Sequence, residues 1–279
     1  DDDGVDADDG CITPAITAAT VNVTATTGIG GTNLVELAGV TLLDAATTAG
    51  NIDIDNAAAA AVVVNTLNVT GGAGNILYDQ TGAQPLEVVS SSTVNGTIGI
   101  TNAGASLTAT MVDASAGNGN VTLETTGTGD VLVDDVGAGT ATVTVNSAVG
   151  IEESGADGTA DITAATIDLN AVNGIGDGGQ LEISGTTLTL DSSAGLENID
   201  VGNVSAADAT LVSGTIAVGA GNITFDQTGG GALVVANAST VNGTIDLSVA
   251  GAALDNSGGT ITAATAGGTT ATTSTASNS

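Results

Sequence analysis

Along much of the chain, apolar and polar residues take strict turns. The clearest runs are Ile52-Asp53-Ile54-Asp55, Val121-Thr122-Leu123-Glu124, Ala141-Thr142-Val143-Thr144-Val145 and Leu188-Thr189-Leu190-Asp191. A period of two puts alternate side chains on opposite faces of an extended backbone. Each run therefore predicts a short strand, aliphatic on the inner face and Thr, Asp or Glu on the outer. Gly, Asn, Asp and Ser separate the runs and supply the turns and positive φ angles of a chain that keeps changing direction. Neither Pro14 nor Pro85 interrupts an alternating run. The alanines at 57–61 have helical composition, but Val62-Val63-Val64 follows at once and favours strand.

Short strands without helical stretches between them allow two all-β architectures: a parallel β-helix (β-solenoid) or an antiparallel β-sandwich. Internal repetition favours the solenoid. Residues 74–98 return at 221–245 with 16 of 25 positions identical, at a constant offset of 147. Asn51-Ile52-Asp53 returns as Asn198-Ile199-Asp200 at the same offset, and Tyr78 is replaced by Phe225. Inside this long repeat, Gly-Asn-apolar-x-apolar or a close variant recurs at Asn51, Asn75, Asn120 and Asn222. That beat suits coils of roughly 20–25 residues, hence about 11–13 coils over residues 15–262. A coil interior is one side chain deep, which suits small aliphatic residues. Equivalent Asn side chains on successive coils are expected to stack as a hydrogen-bonded ladder.

Composition narrows the function classes. The chain has 279 residues and 31 Asp and Glu, but no Lys, Arg or His, for a formal net charge of −31. No side-chain salt bridge can form. There is no guanidinium or ammonium to grip phosphate, and no imidazole to shuttle protons or bind metal. Nucleic acid and anionic membranes are disfavoured as partners. Self-repulsion on this scale calls for divalent cations or a saline exterior. The apolar fraction of 42% rests on Ala, Val, Ile and Leu, too much for a disordered chain. No apolar run approaches the ~18 residues of a membrane span, so membrane insertion is not expected. A single cysteine, Cys11, excludes an internal disulfide. The first residue is Asp rather than Met, which suggests a removed leader and an extracellular or cell-surface location. Three segments follow: an acidic 1–14, the solenoid 15–262, and a Thr/Ser/Ala-rich 263–279.

The coil motifs Gly-Ile-Gly (28–30 and 174–176), Asn-Ile-Asp-Ile (51–54), Asn-Val-Thr-Leu (120–123) and Thr-Leu-Thr-Leu (187–190) resemble the repeats of filamentous-haemagglutinin-like bacterial surface proteins. The resemblance implies a right-handed parallel β-helix exported across the outer envelope. The N-terminal Asp-x-Asp-Gly-x-Asp (Asp1, Asp3, Gly4, Asp6) is similar to a fragment of the acidic calcium-binding repeats of the thrombospondin type-3 kind.

Calcium takes six to eight oxygen ligands, and carboxylates at alternating positions around a Gly turn can wrap it. Asp1, Asp3, Asp6, Asp8 and Asp9 are the candidate ligands, with a solvated acidic end as the alternative. Asp134-Asp135, Glu152-Glu153 and Asp53 with Asp55 are weaker candidates, equally readable as exposed strand and turn carboxylates. As a hydrolase pair, Asp134 and Asp135 are badly disposed, because neighbours on a strand face opposite ways. No enzymatic activity is expected. Asn-x-Ser/Thr sequons at Asn22, Asn68, Asn95, Asn120, Asn203, Asn222, Asn237 and Asn242 allow glycan attachment in an exported protein. The expected function is mechanical: a subunit of an extracellular filament, sheath or surface layer that assembles head to tail. The alternative is an adhesin or secreted passenger stalk that presents a binding tip.

Overall fold

The computed structural model describes residues 14–31, 34–155, 157–194 and 197–264, together with the backbone of 272–273. Asp1, Asp3, Asp6, Asp8 and Asp9, Cys11 and most of the 263–279 segment lie outside the described residues. The chain is all-β and its coils stack in parallel as a β-solenoid, with about 11 turns among the described residues. This is the expected class, at the lower end of the expected count. The only helical element among the described residues is one 3-10 turn at Ser115–Gly117. No helix there is long and apolar enough to cross a membrane. The alanine run follows the strand Ile52–Ala57 and leads into the strand Val62–Val69, as the valines foretold.

Two compact units are present: Asp1–Val131 with Asp135–Ala141, and Leu132–Asp134 with Thr142–Ser279. In the first, Ile52–Ala57, Ile76–Gln80, Ile98–Ala103 and Val121–Thr126 pair in parallel, each with the next. A second series runs through Thr20–Ala25, Leu42–Thr47 and Val62–Val69, then through the broken pair Leu86–Val88 and Ser91–Thr93. The second unit repeats the plan with Ile199–Asn203, Ile223–Gln227 and Ile245–Val249.

Parallel in-register pairing converts each inward position into a column. Ile29, Ile52, Ile76, Ile98 and Val121 form one in the first unit. Ile151, Ile175, Ile199, Ile223 and Ile245 form its counterpart in the second. Ile52, Ile76 and Ile98 precede Ile199, Ile223 and Ile245 by the sequence offset of 147, so the duplication copied whole coils. Even an irregularity was copied. One extra residue, Asn65, bulges opposite Leu43/Asp44, and Val212 does the same opposite Leu188/Thr189.

The Gly-Asn signature has a steric cause. A Cβ added at Gly74, Gly119 or Gly221 would lie 1.7–2.2 Å from a carbonyl oxygen of the preceding coil. Only glycine lets the backbones approach so closely at this corner. The Asn that follows is held by the next coil, though not as the expected amide-to-amide ladder. Asn51 Oδ1 accepts the Asn75 N–H at 3.0 Å, and Asn75 Oδ1 accepts the Thr97 N–H at 2.9 Å. In the second unit Asn198 Oδ1 accepts from Asn222, and Asn222 Oδ1 from Thr244. A corner N–H has no strand partner, and this bond satisfies it.

A second polar column is buried. Asn56, Gln80 and Asn102 sit in register at the third inward position and are at most 1% exposed. The copies of Asn56 and Gln80 are Asn203 and Gln227, while Val249 stands in the place of Asn102. In the first unit the Tyr78 hydroxyl sits between them, accepting from Asn56 Nδ2 at 3.2 Å and donating to Gln80 Oε1 at 3.0 Å. In the second, Phe225 carries no hydroxyl and Asn203 Nδ2 donates straight to Gln227 Oε1 at 2.8 Å. Asn203 is fully buried, which removes it as a glycan acceptor.

Two substitutions test this packing. Gly74→Ala should lower the unfolding free energy by about 3 kcal/mol or more, because rigid backbone faces the new methyl. Gly99→Ala, whose Cβ meets only the mobile end of Leu77, should change it little. In addition, Tyr78→Phe should cost no more than about 1 kcal/mol, because Asn56 can close on Gln80 as the second copy does. Chemical denaturation measured by circular dichroism reads both.

Candidate metal centre

Without a basic residue, carboxylates on the outer faces find other donors. Most of these come from a coil away. Thr66 Oγ1 donates to Asp44 at 3.0 Å, Ser213 Oγ to Asp191 at 2.7 Å, and Ser248 Oγ to Asp226. Gln180 Nε2 bridges Asp200 and Asp226 at 2.9 and 3.0 Å. In-register stacking also sets like charges together. Glu36 stands opposite Asp55, and Asp55 opposite Asp79. Burial, followed by repulsion from Asp79, raises the pKa of both Asp53 and Asp55.

One carboxylate group is more enclosed. Glu153 ends the strand Ile151–Glu153, Asp161 immediately precedes the strand Ile162–Ala171, and Glu182 lies in Leu181–Ser184. Ile162 pairs with Ile183, so Asp161 and Glu182 face each other across adjacent coils. The Asp161 N–H donates to the Glu182 carbonyl at 2.8 Å, and the Glu182 N–H to Asp161 Oδ2 at 3.2 Å. Glu153 is drawn in by its turn, where Oε1 accepts the Asp157 N–H at 3.0 Å. One oxygen from each of the three carboxylates lies within 4.8 Å of the others. Asp161 is 1% exposed. Its Oδ1 and the Glu182 Oε2 are buried without a hydrogen-bond partner.

The electrostatic consequence is a strained proton balance. Burial foremost, then the Glu153, Glu182 and Asp157 carboxylates, pushes Asp161 up to about 7, against the opposing bond from the Glu182 N–H. Glu182 is raised for the same reasons, with burial first and Glu153 second. Three carboxylates converging on one point, with two buried oxygens unfilled, can hold a metal ion.

The weaker pair Glu152-Glu153 thus contributes one member, Glu153, while Glu152 Oε2 instead accepts the Gly178 N–H at 3.0 Å. Asp161 and Glu182 were missed. Asp161 stands alone before its strand, and Glu182 alternates like any outward residue. The available signal was their separation by 21 residues, one coil, next to an already flagged acidic pair. No protein-family model, curated protein or solved structure matches the chain.

A carboxyl whose pKa is higher folded than unfolded gives stability at low pH and loses it as pH rises through the folded value. With a chelator present, the thermal midpoint should therefore fall as pH climbs from about 4 to about 7. Asp161→Asn should flatten that slope. An unaltered slope in the variant would show that Asp161 is not its source.

Proposed function

We propose that the chain is a structural, non-catalytic subunit of an extracellular filament, sheath or surface layer. Copies join head to tail, and cations, calcium above all, neutralise the acidic faces. The observation that carries this reading is the first coil of the first unit. There Ile16 and Val21, with Ile29, Leu34, Leu37 and Leu43 of the coil stacked on them, line an apolar cavity of about 400 Å³. Ile16 is 37% exposed, whereas the inward residues Val64 and Leu67 further along are fully buried. An apolar coil surface of this kind is closed when another coil stacks on it, and in this reading the last coil of a second copy supplies that cover. A heterologous contact of that type propagates as an open fibre.

Two further features support the reading. The aliphatic columns and backbone ladders resist pulling along the stack, and the exposed Asn22, Asn95 and Asn242 leave room for glycans. The resemblance to filamentous-haemagglutinin-like repeats points to the same compartment.

Electron microscopy and sedimentation velocity of the purified chain test the proposal, each with calcium and with chelator. Uniform fibres formed without a partner are expected, and Ile16→Asp at the first coil should shorten or abolish them. A monodisperse monomer in both conditions would overturn the filament reading. Glycan or protein binding by that monomer would then favour the stalk.

A further inference from the structure

The geometry points to a calcium site at Glu153, Asp161 and Glu182, where one ion ties two adjacent coils together. The inference stands apart from the polymer reading, since it rests on these three side chains alone. It is also separate from the acidic run at residues 1–9.

In most proteins a buried carboxylate is neutralised by Lys, Arg or His, and an unpaired buried charge is costly. This chain has none of the three. Asp161, almost wholly buried, keeps Oδ1 without a partner, and Glu182 keeps Oε2 likewise. The missing positive charge must therefore come from solution. A proton can neutralise one carboxylate, but two further acids remain within reach. A divalent cation at the common point satisfies all three at once.

The donor set selects the ion. All ligands are hard carboxylate oxygens, with no nitrogen or sulfur at the site. That disfavours zinc, copper and iron–sulfur chemistry and suits calcium, magnesium or manganese. Calcium–oxygen distances of about 2.3–2.6 Å allow ligand oxygens up to about 5 Å apart to share one ion. The 4.8 Å limit on the three oxygens falls inside that span. Magnesium demands near-regular octahedral ligands at about 2.0–2.1 Å and gives up its waters reluctantly. Three carboxylates on two coil edges and a turn do not impose that regularity. Asp157 is not needed as a ligand, because its Oδ1 accepts the Thr159 N–H at 2.8 Å and the Thr159 hydroxyl at 2.7 Å. Its backbone N–H donates to Glu153 Oε1.

A bound ion would tie Glu153 and Asp161 to Glu182 on the following coil. Protons compete for the same oxygens, so affinity should weaken below neutral pH. The carboxylates that face one another here are Glu153, Asp157 and Asp161 on one coil and Glu182 and Asp200 on the next two.

Isothermal titration of the full chain with calcium, after chelation and with the magnesium titration as comparison, tests the site. Thermal melts in each ion at matched ionic strength complete it. A saturable calcium site that depends on Asp161 and Glu182 is expected above any other binding, with a midpoint raised by several degrees through mass action. Magnesium should raise the midpoint less. Asp161→Asn should fold, and in chelator it should melt no lower than wild type, because it removes a repelled buried charge. It should nevertheless bind calcium more weakly, on the order of tenfold, and lose the calcium-dependent rise. Glu182→Gln gives a second reading of the same loss. A calcium response equal to that of magnesium, or unchanged in both variants, would reduce the effect to general screening and overturn the site.

Discussion

Parallel in-register stacking is the constraint from which the other features descend. Each position on a coil meets its own equivalent about 4.8 Å away on the next. Inside, this is favourable: Ile stands on Ile, and Asn56 lies in register with Gln80, the Tyr78 hydroxyl joining their amides. At the corners it is exacting, because a Cβ at Gly50, Gly74 or Gly96 would run into a carbonyl oxygen of the preceding coil. Outside, the same rule sets Glu36, Asp55 and Asp79 in one line and creates repulsion that no basic residue relieves. Hydroxyl and amide donors from other coils answer part of it. The remainder is left for cations, and the Glu153, Asp161 and Glu182 carboxylates are where that need is most concentrated.

The internal duplication shows how tolerant the arrangement is. Tyr78 and Phe225 occupy equivalent places, yet the polar pair beside each closes differently. The hydroxyl lengthens the path from Asn56 to Gln80 and leaves Asn56 Oδ1 and Gln80 Nε2 unpartnered. In the other copy Asn203 Oδ1 accepts the Gly185 N–H and Gln227 Nε2 donates to the Ser205 carbonyl. Thr93 and Thr240, by contrast, make the same bond to the carbonyls of Gly74 and Gly221. Corner geometry was retained while the interior drifted.

The strands and their inward faces were legible in the sequence because alternation is a local signal. The coil class was legible because Gly-Asn recurs at a near-constant beat. What stayed hidden depends on lateral neighbours. Asn56, Gln80 and Asn102 follow the alternation of inward positions but are polar, so composition alone sends them outward. Asp161 and Glu182 become neighbours only once the pitch at that coil is known, and pitch varies: Val35 pairs 19 residues ahead, Ile54 pairs 24 ahead. The Asn corners were found, but their partners are backbone N–H groups, which no side-chain pattern reveals.

Interstrand nuclear Overhauser effects in isotope-labelled protein test the stacking most directly. The expected result is a set of parallel-sheet contacts linking Ile52 to Ile76 and Ile76 to Ile98, repeated for Ile199, Ile223 and Ile245. Close Hα–Hα contacts between strands consecutive in sequence, the mark of antiparallel pairing, would contradict it.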